Sequence, residues 1–290
     1  MATSAQPATS SAQARPVPSK AKLLRPDAAT LAGLILAFGG ILGGLIMEGG
    51  KIKDVAQITA ALIVLGGTCG AVMVSTPMHM LAAAVRRLAH VIVDPTESAE
   101  AVIDELIRYA TAARRNGLVS LENDAMQIHN PFLQKALMLA VDGTDLQEIR
   151  SMMQLEIEMA ERQAFAEARV FECAGGYSPT IGIIGAVLGL IQVMKNLANI
   201  DEVGHGIAVA FVATVYGVGL ANIVLLPAAT KMKARVDSET ALKEMMLEGV
   251  VGIVEGMNPK IIRQKLEAYQ RESNKVPKPV TAPRPPAGKS

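Results

Sequence analysis

The sequence predicts an all-α integral membrane protein, with four transmembrane helices and a helical cytoplasmic domain between the second and third. Three observations carry this. Four long apolar runs contain no charged residue, and about 20 such residues suffice to cross a bilayer. Only 19% of the 290 residues are charged, below the roughly 25% of soluble domains. Between the second and third runs, apolar residues recur at the helical spacing of three and four, and no alternating strand pattern of useful length appears.

The first run, Thr30 to Met47, lies between Asp27 and Glu48. Arg15, Lys20, Lys22 and Arg25 precede it, as in a signal peptide. Its 18 residues exceed the roughly 7–15 of a signal core, and no A-x-A cleavage pattern follows, so a retained helix is expected. The second run is Ala56 to Met78, between Asp54 and the pair Arg86-Arg87. The third is Cys173 to Met194, between Glu172 and Lys195. The fourth is Ile207 to Thr230, between His205 and Lys231. Lysine and arginine near span ends favour the inside. They cluster before the first run, after the second and after the fourth, where Lys231, Lys233 and Arg235 stand. Both termini and the middle segment are therefore expected to be cytoplasmic. The predicted division is a disordered tail at 1–27, spans one and two within 28–78, a cytoplasmic helical domain at 79–172, spans three and four within 173–230, cytoplasmic helices at 231–274 and a disordered tail at 275–290.

In the middle segment, Pro95 and Thr96 suit a helix start. Ile103, Leu106, Ile107 and Ala110 form one apolar face, and Gly117 closes the helix. A second helix is expected from Pro131 to about Val141, with Gly143 after it. A third runs from Asp145 to about Glu172, with an apolar stripe at Ile149, Met153, Ile157, Ala160, Ala164, Ala168 and Phe171. Near the C-terminus, two short amphipathic helices are expected on either side of Asn258-Pro259.

Composition limits function. Aromatics are 3% with no Trp, so a large core outside the membrane is not expected. A net charge of +1 gives no case for nucleic acid, which calls for a clustered basic face. Cys69 and Cys173 make no disulfide framework and read as small, buried, reduced residues. His79, His90, His129 and His205 show no ligand spacing, so neither a metal nor any other cofactor is expected. No nucleophile, base and anion-binding group converge, so an enzyme is not expected.

The spans carry GxxxG pairs at Gly39/Gly43, Gly40/Gly44, Gly66/Gly70 and Gly185/Gly189, which let helices approach closely. Pro179 and Pro227 both fall at the cytoplasmic ends of their spans and each removes a backbone donor. A hinge or polar cavity at that level is one reading. A proline in a first turn is the other, and it covers Pro179 better than Pro227. Thr214 is a hydroxyl within the fourth span, either functional or bonded to its own backbone. Tyr216 and Asn222 are further polar candidates. Ion carriers place Asp, Glu, His or Arg inside the membrane, and these spans place none. Either another subunit brings the titrating group or the chain is a non-conducting scaffold.

"GLIMEGG", "ALIVLGGTCGAVMVSTP", "ARRNGLVSLE", "GYSPTIGIIGAVLGLIQVMKNL", "GIAVAFVATVYGVGLANIVLLPAATKMKAR" and "EGMNPKIIRQKLEAY", in that order, resemble the MotA/PomA family of flagellar motor stator subunits. That family sits within the wider MotA/TolQ/ExbB proton channel group, and the resemblance spans about residues 28 to 270. It implies a multi-pass protein of the bacterial inner membrane, in a ring of five around two copies of a single-span partner, MotB or PomB. The partner brings a membrane aspartate and anchors to peptidoglycan. By the resemblance, Pro179 and Pro227 couple ion flow to movement, and Thr214 lines the ion path. Arg114 and Glu122, with Arg115 next in line, face the rotor protein FliG. Sodium-type members carry threonine where Ala186 and Ala213 stand, so the resemblance favours H+ over Na+. An ExbB/TolQ-like energiser of outer-membrane processes is the nearest alternative. Those relatives have three spans and an external N-terminus.

Overall fold

The computed structural model describes residues 28–93 and 98–273, and every regular element among them is helical. The predicted disordered tails, 1–27 and 275–290, and the helix start predicted at Pro95 and Thr96 lie outside the described residues. Helix α1 spans Ala28–Met47, and α2 spans Ile58–Ser75. Next come α3, Met78–Val93, α4, Ala99–Asn116, and α5, Pro131–Val141. The chain continues with α6, Leu146–Lys195, α7, Ile200–Val254, and α8, Pro259–Ser273. Four of these, α1, α2, α6 and α7, are long and apolar enough to cross a membrane.

Local chemistry explains the ends. Asn130 accepts hydrogen bonds from the Phe132 and Leu133 amides and Pro131 follows it, an N-cap with proline at the first helical position. Asp145 caps α6 through the Gln147 amide. Gly117 and Gly256 hold φ of +83° and +67° after α4 and α7, a region where a β-carbon is strained.

The middle of the chain departs from expectation in two ways. Helix α3 was not predicted, because the apolar run was read as continuing to Met78. Thr76 is extended instead, with φ −134° and ψ 131°, as the residue before a proline prefers. Its successor Pro77 opens a new helix. The second departure concerns α6 and α7. The cytoplasmic helix predicted to about Glu172 and the third span are one helix of 50 residues. The fourth span likewise runs on to Val254, giving 55 residues, and absorbs the first of the two short helices predicted around Asn258-Pro259. Hydropathy changes at Glu172 and Lys231, but backbone hydrogen bonding does not. At 1.5 Å per residue these helices reach about 75–83 Å, well beyond a hydrocarbon core of roughly 30 Å.

Their far ends build the largest core. Ile149, Met153 and Ile157 of α6 meet Met246, Val250 and Ile253 of α7, with Leu106, Tyr109, Leu133, Leu137, Ile262 and Leu266 from α4, α5 and α8. A substantial core outside the spans therefore exists, built from Leu, Ile, Val and Met. Within the predicted stripe of α6, Ala160 and Phe171 are half-buried and the other five are buried. Cys69 corrects another expectation, since it is exposed on α2, and Cys173 is half-buried.

Glu248 of α7 ties this core to α8. It accepts from Arg150 Nη1 at 2.8 Å and from Lys265 Nζ at 2.6 Å. Burial works to raise its pKa, but the hydrogen bonds and charges of Lys265 and Arg150 together outweigh it and hold the carboxyl below the usual range. A carboxyl depressed by folding stabilises above its unfolded pKa and loses that contribution as pH falls through the folded value. Thermal stability should therefore fall as pH drops below about 4.5. Glu248→Gln should remove that part of the pH dependence and cost about 1 kcal/mol at neutral pH for two partly exposed pairs. Melting curves in detergent across pH 3 to 7 check this.

Candidate functional site

The residues that carry the spans' chemistry meet where α2, α6 and α7 cross. Helices α6 and α7 run antiparallel and touch through small residues. A β-carbon built on Gly182 would lie 2.9 Å from the Ala213 carbonyl oxygen and 3.1 Å from Gly217 Cα. One on Gly189 would lie 2.8 Å from the Gly206 oxygen. Such spacing puts backbone on backbone. Ser178, fully buried, donates its hydroxyl to the Gly217 carbonyl at 2.9 Å.

Here the regular backbone gives way in all three helices. Pro179 stands inside the unbroken α6, so the Gly175 carbonyl loses its usual amide donor. In α7 the residues Leu220–Leu225 form a π-helical stretch, which places Pro227 at the second residue of the α-helix that resumes at Leu226. Leu225 before it is itself helical, with φ −70° and ψ −51°, so Pro227 also lies within continuous helix. The first-turn reading does not cover Pro179, contrary to the expectation. In α2 a second π stretch, Leu62–Gly66, ends beside Gly67. Gly175 lies against Leu226, so the two prolines fall within about two helical turns of each other along the bundle.

Ala213 is wholly buried, and a β-carbon on Gly185 would lie 2.7 Å from its methyl. Ala186 follows Gly185 and is half-buried, as are Pro179 and Thr214, whereas Pro227 is exposed. The Thr214 hydroxyl donates to the Ala210 carbonyl at 3.2 Å, the self-bonded arrangement. Tyr216 donates to the Val55 carbonyl at 2.6 Å, joining α7 to the turn before α2, and Asn222 donates to its own helix at Val218.

Arg114, Arg115 and Glu122 lie elsewhere, around the turn after α4, and all three are exposed. The two arginines occupy the last turn of α4, where cations meet the negative end of the helix dipole. Buried Leu121 anchors the turn that presents Glu122. Nearby, Tyr109 donates to Glu105 at 2.7 Å and accepts from Arg108 at 3.2 Å. Burial, then the Glu105 bond, pushes its phenol up to about 12, so it stays neutral beside these charges.

A further cluster had no sequence signal beyond its charges, because its partners are distant in the chain. Arg87 of α3 contacts Glu167 of α6 at 3.2 Å and Glu239 of α7 at 3.5 Å, and Arg235 holds Glu239 at 3.0 Å. Glu167 is buried. Lys233 pairs with Glu172 at 2.5 Å. The Arg87 contacts tie α3 to both long helices where they leave the apolar region, and the Lys233–Glu172 pair joins α6 to α7 there. Ser178 and Gly217 were likewise missed, although a hydroxyl directly before Pro179 in a charge-free stretch was a usable signal.

Comparison with known proteins agrees with this architecture. Residues 124–245 match the MotA/TolQ/ExbB proton channel family, and residues 31–116 match the motility protein A N-terminal family. The chain is 38% identical to motility protein A of Bacillus subtilis (strain 168) over 247 residues, 84% of this chain and 90% of that protein. It is 32% identical to chemotaxis protein PomA of Vibrio alginolyticus, over 86% of this chain and 98% of that protein. Among solved structures, C. jejuni MotAB superposes with a TM-score of 0.80 at 34% identity, covering 84% of this chain and 95% of that one. The Bacillus subtilis MotAB stator complex gives 0.77 at 36% identity, covering 86% and 100%. With an all-helical fold, four apolar spans and these relatives along nearly its whole described length, the chain belongs to the MotA/TolQ/ExbB proton channel family, in its motility protein A branch.

Proposed function

We propose that the chain is the channel-wall subunit of a flagellar stator. With a MotB-like, single-span, peptidoglycan-binding partner it conducts protons and turns their flow into torque on the rotor. One observation carries the reading. A helix pair, α6 and α7, charge-free in its apolar stretch, holds two prolines and a π stretch within about two helical turns and continues without a break beyond that stretch. Such a wall has no titrating group of its own in its spans, so the partner supplies an aspartate. Protonation from outside removes the aspartate's charge, its contacts near Pro179 and Pro227 change, and the long helices shift. Each charge moved across 100 mV releases about 2.3 kcal/mol. The lack of hydroxyls at Ala186 and Ala213 favours a proton over sodium, because a desolvated sodium ion needs several oxygen ligands. The protein acts as a channel subunit and not as an enzyme.

In this reading both termini and residues 79–172 and 231–274 face the cytoplasm of a bacterial inner membrane. Five copies surround two partners. Helix α1 has no buried residue, and β-carbons on Gly39, Gly43, Gly66 and Gly70 would meet nothing within 4 Å, which supports contacts with neighbouring copies. Arg114, Glu122 and Arg115 face the rotor protein FliG, because exposed charges outside the core suit steering toward an oppositely charged surface. Reversing them as Arg114→Glu and Glu122→Lys should cut swim-ring expansion about tenfold while changing stability by less than about 1 kcal/mol. An opposing charge placed on FliG should restore swimming. Unchanged swimming in the double variant would overturn the rotor assignment.

A further inference from the structure

The wall described above leaves one buried hydroxyl unused. Thr68 of α2 is 4% exposed, and its Oγ1 has no hydrogen-bond partner. Buried hydroxyls are nearly always bonded, and an orphan calls for an explanation. Threonines within helices usually donate to the carbonyl four residues back. Thr111, Thr214 and Thr230 do so here, to Ile107, Ala210 and Leu226. Thr68 does not.

Its position is informative. Ala60, Val64, Thr68 and Val72 form the buried stripe of α2. Val64 packs with Val212 and Ala213 of α7, and Val72 packs with Val170 and Ala174 of α6. The preceding residue, Gly67, lies against Ile181, whose Cγ2 would be 2.7 Å from a β-carbon there. Following these contacts along the antiparallel pair places Thr68 beside the Ser178–Thr180 level of α6, at Pro179. An unused donor on α2 and the proline of α6 thus lie at the same level, within about a helical turn, and the carbonyl that the proline leaves open, that of Gly175, lies one turn further along α6 on the side that meets Leu226 of α7.

We propose that Thr68 is a positioning residue for the movement at Pro179. When α6 bends there, the Thr68 hydroxyl donates to an α6 backbone carbonyl that the bend opens at this level and holds the bent state. In the structure described here that bond is not made. This rests on the reading of Pro179 as a coupling proline.

The test uses the full chain co-expressed with its partner in a motile host. Thr68→Val keeps the shape and removes the hydroxyl, and Thr68→Ser keeps the hydroxyl. The valine variant should slow swimming at least about fivefold, with normal assembly at the motor and a melting temperature equal to or above the parent's, because an unpaired buried hydroxyl has been removed. The serine variant should swim within about twofold of the parent. Normal swimming by Thr68→Val would overturn the proposal, as would serine and valine variants that fail alike. If Pro179→Leu also swims normally, the failure lies in the coupling reading. If only Thr68→Val does, it lies with Thr68.

Discussion

Replacing Pro179 with leucine is expected to abolish swimming while leaving a folded chain in the membrane. The position is interior to a 50-residue helix, where proline forgoes one hydrogen bond and crowds the preceding turn, a penalty of about 3 kcal/mol in an ordinary helix. Leucine restores the amide, closes the bond to the Gly175 carbonyl and stiffens α6 between its apolar stretch and the core at its far end. Stability should hold or rise while movement stops, a combination that packing damage cannot produce. Pro227→Leu should act in the same direction by extending regular helix into the π stretch at Leu220–Leu225. Swim-ring diameter, immunoblots of membrane fractions and melting temperature check both variants. Swimming by both at normal protein levels would refute the hinge.

The second large effect is structural. Gly217→Val is expected to deplete the folded protein. A β-carbon there would lie 2.7 Å from the Ser178 carbonyl oxygen and 2.9 Å from Gly182 Cα. Both obstacles are backbone, so α6 and α7 must separate and the Ser178 hydroxyl loses its acceptor. Overpacking in a core typically costs about 1–3 kcal/mol, and this variant should lie at or above the top of that range. Gly70→Ala is the control, because a β-carbon at Gly70 would meet nothing within 4 Å, and it should leave the chain's own fold intact. Membrane-inserted levels and melting temperatures of the two variants separate the cases.

What could be read from the sequence follows from how local each signal is. Asn130, Pro131 and Gly143 set the ends of α5 through bonds and angles within a few residues, and the predicted helix is the observed one. The apolar faces of α4 and α6 followed from the helical period. The junction at Glu172 and Cys173 misled, because a change in hydropathy marks where a bilayer ends and not where a helix does. Helix α3 was hidden by an apolar run that crosses Pro77, although the extended residue before a proline was a legible sign. Arg87 with Glu167 and Glu239, Ser178 with Gly217, and Thr68 with the Pro179 level are pairings between distant segments, and no local pattern announces them. The glycine pairs looked alike in sequence. The structure divides them into those used within the chain, at Gly185 and Gly189, and those left open, at Gly39, Gly40, Gly43, Gly44, Gly66 and Gly70.

Purified chain in proteoliposomes under an imposed pH gradient and membrane potential, alone, with its single-span partner, and with that partner's membrane aspartate changed to asparagine, puts the borrowed acid to the most direct test. Lumenal acidification should be rapid only with the intact pair and should fall to the lipid background in the other two samples. Equal proton entry through the chain alone would contradict the account.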